Sequence, residues 1–275
     1  MPPFHLHPSV LVAIGAPVAA YVRAVRRRAG ATGERLGRRR AMLFGSGAAA
    51  LFLGASWPIH DLAERALFSV HMVQHVLFTL VGPPLLLAGT PPWMLRRILR
   101  PRTLWRAWAF CTRPLVATVL YNGLLLLTHW PAVVEASVRS ELLHFGLHVL
   151  LFGSALAMWW PVMSPLPELP ALPAPVQMLY LFVQSIAPTV PASFLTFGRT
   201  SLYPVYETFP RVLGISAVTD QTIAGLTMKL VGGAILWAVM TAVFFRWFRE
   251  EREEGWDPLR WQRVEHEIAR ELRHR

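Results

Sequence analysis

The residues of this chain best suited to chemistry are its histidines. There are ten. His5 and His7 precede the first apolar run, and His266 and His274 lie near the C-terminus. The other six sit in short motifs: His60 in WPIH, His71 and His75 in HMVQH, His129 in THWP, and His144 and His148 in HFGLH. Residues i and i+4 of a helix share a face, with Cβ atoms about 5–6 Å apart. Each HxxxH pair can therefore chelate one ion, and imidazole suits copper, zinc, iron or nickel. A single intramembrane histidine is more often a hydrogen-bond partner between helices. Two pairs at matching depth favour a joint metal site of up to four imidazoles. His60 and His129 are weaker candidates, because Trp57 and Trp130 beside them mark the membrane interface.

Other residues can complete such a site. Asp220 can supply a carboxylate ligand, and Asp220 or Gln221 can orient a ligand imidazole. Thr219 and Asp220 equally suit a helix cap. Met72 and Met228 offer thioethers to Cu(I), although methionine in apolar helices usually packs. The expected ligands are thus His71, His75, His144, His148 and Asp220. His60, His129, Gln221, Met72 and Met228 are expected as supports or transient ligands. Cys111 is the sole cysteine, which excludes an internal disulfide or a thiolate cluster within one chain. Lys229 is nine residues past Asp220, about half a turn round a regular helix, and is expected to face away from it. Gln184 and Ser185 read as hydrogen-bond partners between helices, and Pro188 and Pro191 as distortions of their helix.

The elements that must position these residues are membrane spans. Of the 275 residues, 54% are hydrophobic, the mean hydropathy is +0.40, and the apolar residues come in long blocks. A crossing needs about 20 of them. Seven segments approach that length, near 8–22, 41–57, 67–89, 113–130, 141–162, 174–197 and 218–245. The expected fold is all-α, a polytopic membrane bundle over 1–248 with a charged cytoplasmic tail over 249–275. The N-terminal MPPFHLHPSV lacks a basic n-region and reads as the start of a retained first span. MSPLPELPALPAP reads as an extended loop. In the tail, Val264, Ile268 and Leu272 recur every four residues, which suits a surface helix.

The net charge of +11 does not argue for nucleic acid, because its arginines sit between apolar blocks, where topology is decided. Residues 23–40 hold eight, residues 96–113 hold six, and the tail from Arg246 holds eight. The alternate loops hold Arg65, Arg139, Arg199 and Arg211. Basic residues favour the cytoplasm, so the N-terminus is expected outside and the C-terminus inside. The loop 162–174 carries no basic residue and is neutral on this point. All six motif histidines then fall in or near the outer leaflet.

FSVHMVQHVLFTLVGPPLLLAGTP, LLHFGLHVLLFGSALAMWWPV, LYLFVQSIAPTVPASFLTFGRTSLYPVYE and DQTIAGLTMKLVGG cover most of residues 57–245. These stretches resemble the CtaG-type family of bacterial cytochrome c oxidase assembly factors, distinct from the single-span copper chaperone sharing that name. The resemblance implies a seven-span protein of the bacterial plasma (inner) membrane that serves maturation of haem–copper oxidases, by copper delivery in the usual interpretation. It implies oxidase subunits, the lipid bilayer and a periplasmic copper donor as partners. His71, His75, His144, His148, Asp220 and Gln221 fall in its motif positions, whereas Lys229 departs from its pattern. The arginine-rich 23–40 loop and the tail lie outside it.

The expectation is a non-enzymatic assembly factor holding copper near the outer, periplasmic leaflet and releasing it by ligand exchange. Two other readings compete. A zinc-dependent membrane hydrolase needs an open metal position and a general base, which Asp220, His129 or His60 can serve. The histidine–aspartate spacings of such enzymes are not found here. A haem-binding electron carrier needs ligands on facing helices, whereas close i, i+4 pairs suit one small ion. A scaffold with histidines as interhelical glue is the fourth reading.

Overall fold

In lipid every backbone amide needs a partner within the protein, so apolar runs of this length fold as helices. The computed structural model describes residues 8–212, 214–255 and 270, and all of its regular structure is helical. In chain order the helices are α1 (Pro8–Thr32), α2 (Arg38–Ala55), α3 (Ile59–Arg65), α4 (Phe68–Gly89), α5 (Pro92–Ile98), α6 (Arg102–Cys111), α7 (Pro114–Thr128), α8 (Pro131–Arg139), α9 (Glu141–Met163), α10 (Ala174–Phe197) and α11 (Ala217–Glu253). Every segment expected to span lies on one of them. By length and composition α4, α9, α10 and α11 can each cross a membrane. The pairs α2–α3 and α6–α7, bent by 41° and 79°, raise the number to six if each is one broken span.

The short helices α3, α5, α6 and α8 lie between the apolar blocks, where run length gave no signal. α5, α7 and α8 open on Pro92, Pro114 and Pro131, since the proline ring is pre-set for the first helical turn and its missing N–H goes unused there. α10 breaks between Ile186 and Thr189, where Pro188 was expected to distort it. The loop 164–173 has no regular structure, as its prolines require. It folds back on the bundle: Leu172 N–H donates to the carbonyl of Pro161 at 2.8 Å, and Arg96 pairs with Glu168 at 2.7 Å. That guanidinium bond holds the exposed Glu168 carboxyl below its usual range.

Helices approach closely where side chains are absent. A Cβ on Gly47 of α2 would lie 3.0 Å from the backbone nitrogen of Leu86 and 3.1 Å from the carbonyl of Gly82, both on α4. Small residues serve this purpose in membranes, where packing rather than water drives association. Tyr21 of α1 donates to the carbonyl of Gly89 at 3.0 Å. The interior is filled around Trp159, Trp160, Met158 and Leu151 of α9, and the ring N–H of Trp159 donates to the carbonyl of Thr79 at 2.8 Å. Gln184 was expected to bond between helices and does so. It accepts from Asn122 of α7 at 2.7 Å and donates to Thr118 at 3.0 Å.

α11 runs through residue 248 without a break. Val264, Ile268 and Leu272, together with His266 and His274, lie outside the described residues, as do His5 and His7.

Candidate metal centre

The first turns of α4 and α9 carry the two histidine pairs. The helical repeat puts His71 over His75, with ring centroids 4.5 Å apart, and His144 over His148 at 4.4 Å. The pairs face one another. His148 lies 5.5 Å from His71 and 5.2 Å from His75, and His144 lies 5.5 Å from His71. One nitrogen from each of His71, His75 and His148 can be chosen so that all lie within 4.8 Å of one another. Three imidazoles thus converge, with His144 beside them.

These rings are short of partners. His71 Nδ1, His144 Nε2 and His148 Nε2 are buried with no hydrogen bond. A buried polar group left unpaired costs about 1–3 kcal/mol. Neutral imidazole nitrogens gathered in this way form a donor set for a cation, since each can present a lone pair.

The remaining sequence candidates are placed as follows. His60 is engaged on both sides. Its Nδ1 is 3.2 Å from Gln74 Nε2, and its Nε2 is 3.2 Å from Glu64 Oε1. His129, at the end of α7, has its centroid 5.5 Å from His75. Asp220 is used as a cap for another helix. Its Oδ2 accepts from Phe68 N–H at 2.6 Å, and its Oδ1 accepts from the Ser69 N–H at 3.1 Å and from the Ser69 hydroxyl. The first turn of a helix leaves such donors unpaired, so Asp220 of α11 fixes the start of the helix that bears His71 and His75. The expected ligand role for Asp220 gives way to this cap, since the carboxylate is outside the converging group. Gln221 pins the chain after α10, accepting from Leu202 N–H at 2.6 Å and donating to the carbonyl of Leu195 at 3.3 Å. Met72 and Met228 are buried and line a cavity next to His75.

Three features escaped sequence reasoning. Glu64 lies 3.6 Å from His144 Nδ1 as well as 3.2 Å from His60. Its spacing of four from His60 was the available signal. The turn Pro204–Thr208 packs beside the site through Phe68. Tyr206 and Tyr203 meet the ring of Phe68 edge-on at 5.1 and 4.8 Å, and Phe68 stacks on His71 at 5.9 Å. Burial pushes both phenols above their usual range. Finally, the backbone widens into π-turns over Leu77–Val81 of α4 and Thr227–Val231 of α11, a distortion often found at functional sites. Lys229 sits in the second of these. Lys229 is exposed there, away from the buried Asp220 as expected, and it borders the same cavity as His75.

The model of the cytochrome c oxidase caa3 assembly factor family (Caa3_CtaG) matches residues 19–250. The chain belongs to that family. The match takes in every helix that carries a site residue and extends across the arginine-rich 23–40 loop, which the sequence motifs alone had left outside. Among curated proteins and among solved structures nothing matches. Membership in the caa3 assembly factor family brings with it a role in cytochrome c oxidase assembly and a place in the membrane. Within this family member, the histidine cluster is the one group of metal-ligating type identified among the described residues.

Proposed function

We propose that this caa3 assembly factor binds copper through His71, His75 and His148, with His144 alongside, and passes it to a haem–copper oxidase in the same membrane. The observation that carries the reading is the convergence of three imidazoles within 4.8 Å, with nitrogens of His71 and His148 buried and unpaired. Copper is the cargo and leaves by ligand exchange, so no general acid or nucleophile is needed. Glu64 acts on the site through His144 and His60, as carboxylates commonly do behind ligand imidazoles.

The placement of arginines supports an extracytoplasmic site, since the histidine end of α4 is opposite the basic 96–113 stretch. An oxidase subunit and a periplasmic copper donor are the partners this orientation favours. Crowding supports a small ion over haem: four rings with neighbouring centroids 4.4–5.5 Å apart leave no slot for a macrocycle.

Elemental analysis of purified protein tests the proposal. Wild type should carry copper, and His71→Ala/His75→Ala should carry measurably less while keeping its elution volume in detergent. Equal copper in both proteins overturns the reading. Zinc in place of copper, together with chelator-sensitive ester or amide turnover, would favour a hydrolase.

A further inference from the structure

Next to the three-histidine cluster lies a cavity with chemistry of its own. It leaves about 40 Å³ open to the centres of water-sized particles, where one such particle needs roughly 10–15 Å³. Its wall includes His75, His129, Met72, Met228, Tyr121 and Lys229.

His129 is 6% exposed. Its Nδ1 lies 2.7 Å from the carbonyl of Leu125. A carbonyl can only accept, so in the neutral ring Nδ1 carries the proton and Nε2 keeps a bare lone pair. That Nε2 is buried with no partner. Met72 and Met228, 2% and 8% exposed, add two thioethers to the same wall. Thioethers are soft ligands that favour Cu(I) over zinc.

We propose that this cavity is a second cargo site, selective for Cu(I), formed by His129 Nε2 with the thioethers of Met72 and Met228. It rests on the copper reading given above. His75 links the two sites, because it belongs to the converging group and also lines the cavity. The ion passes between them by exchange of ligands at constant oxidation state, so no electron donor or acceptor is required.

Anaerobic titration with Cu(I) against a competing chelator, and separately with Zn(II), tests this in the purified full-length chain. X-ray absorption supplies the ligand type. Wild type should bind two Cu(I) ions with copper–sulfur scattering, and one Zn(II). Met72→Leu/Met228→Leu, a change close to volume-conserving, should bind one Cu(I) without sulfur scattering and keep its Zn(II). His129→Gln should likewise lose one Cu(I). His71→Ala/His148→Ala should lose the Zn(II) and retain one sulfur-bound Cu(I). A wild type with one nitrogen-bound copper overturns the second site and leaves the first standing. Two coppers retained in both the methionine and the His129 variants overturn it as well. A wild type with no copper overturns the reading on which it rests.

Discussion

The Glu64 carboxylate stands 3.6 Å from Nδ1 of His144, on the opposite side of that ring from the buried, unpaired Nε2. A negative charge behind an imidazole draws the proton to the near nitrogen and leaves the far lone pair for a cation. Glu64 reaches this position because α3 turns by 41° from α2 and lies against the start of α4. Removing an outer partner of this kind typically costs 10- to 100-fold in metal affinity. Glu64→Gln keeps the shape and deletes the charge, so it should weaken copper binding by about tenfold or more. Chelator competition measures this. An affinity within about twofold of wild type would deny Glu64 a positioning role.

Asp220 should govern stability rather than metal content. It satisfies the N–H groups of Phe68 and Ser69 at the buried start of α4. Asp220→Ala leaves both unpaired, at about 1–3 kcal/mol each, and should lower unfolding free energy in detergent by at least about 2 kcal/mol. Asp220→Asn retains one acceptor oxygen and should cost less. Copper per folded molecule should stay at the wild-type level in both. Copper lost from folded Asp220→Asn would make the carboxylate a ligand after all.

What the sequence made legible follows from the range of each signal. The HxxxH pairs are local, and helical geometry alone brings His71 to His75 and His144 to His148. Apolar run length located the long helices, and Pro188 marked the break in α10. The partner of Asp220 was out of reach, since a contact spanning 152 residues leaves no periodic trace. The same holds for His144 with Glu64, which lie on helices separated by the whole of α4 through α8. The π-turns change helical phase by insertion within the turn, and nothing in LFTLV or TMKLV announces them.

Gln184 should contribute through its hydrogen bonds between helices rather than as a ligand, although it borders the same cavity as His129. It joins α10 to Asn122 and Thr118 of α7 through bonds of 2.7 and 3.0 Å. Interhelical side-chain bonds in membranes average about 0.6 kcal/mol, with model peptides nearer 1–2 kcal/mol. Gln184→Leu should cost about that much in unfolding free energy and leave copper stoichiometry unchanged. Equilibrium unfolding in mixed micelles measures the first quantity and elemental analysis the second. A loss above about 3 kcal/mol would mean that Leu strains the site beyond the missing bonds.

The histidines should separate into ranks when replaced one at a time by alanine. His60 has both nitrogens engaged, by Gln74 and by Glu64, so His60→Ala should retain the wild-type copper number with a modest fall in affinity. His71 and His148 each bring a nitrogen to the converging group, and losing either should weaken binding by more than about tenfold, the low end seen even for outer partners. His75 alone belongs to the converging group and also lines the cavity with His129, at 4.5 Å from His71, 5.2 Å from His148 and 5.5 Å from His129. His75→Ala should therefore be the most damaging single change. Its effect should also be non-additive with His129→Gln, because residues sharing one ligand network do not act independently. A cycle of these two variants, read as copper affinity, supplies the coupling energy. A coupling of zero would separate His75 from His129, and equal losses for His60 and His75 would contradict the geometry that ranks them.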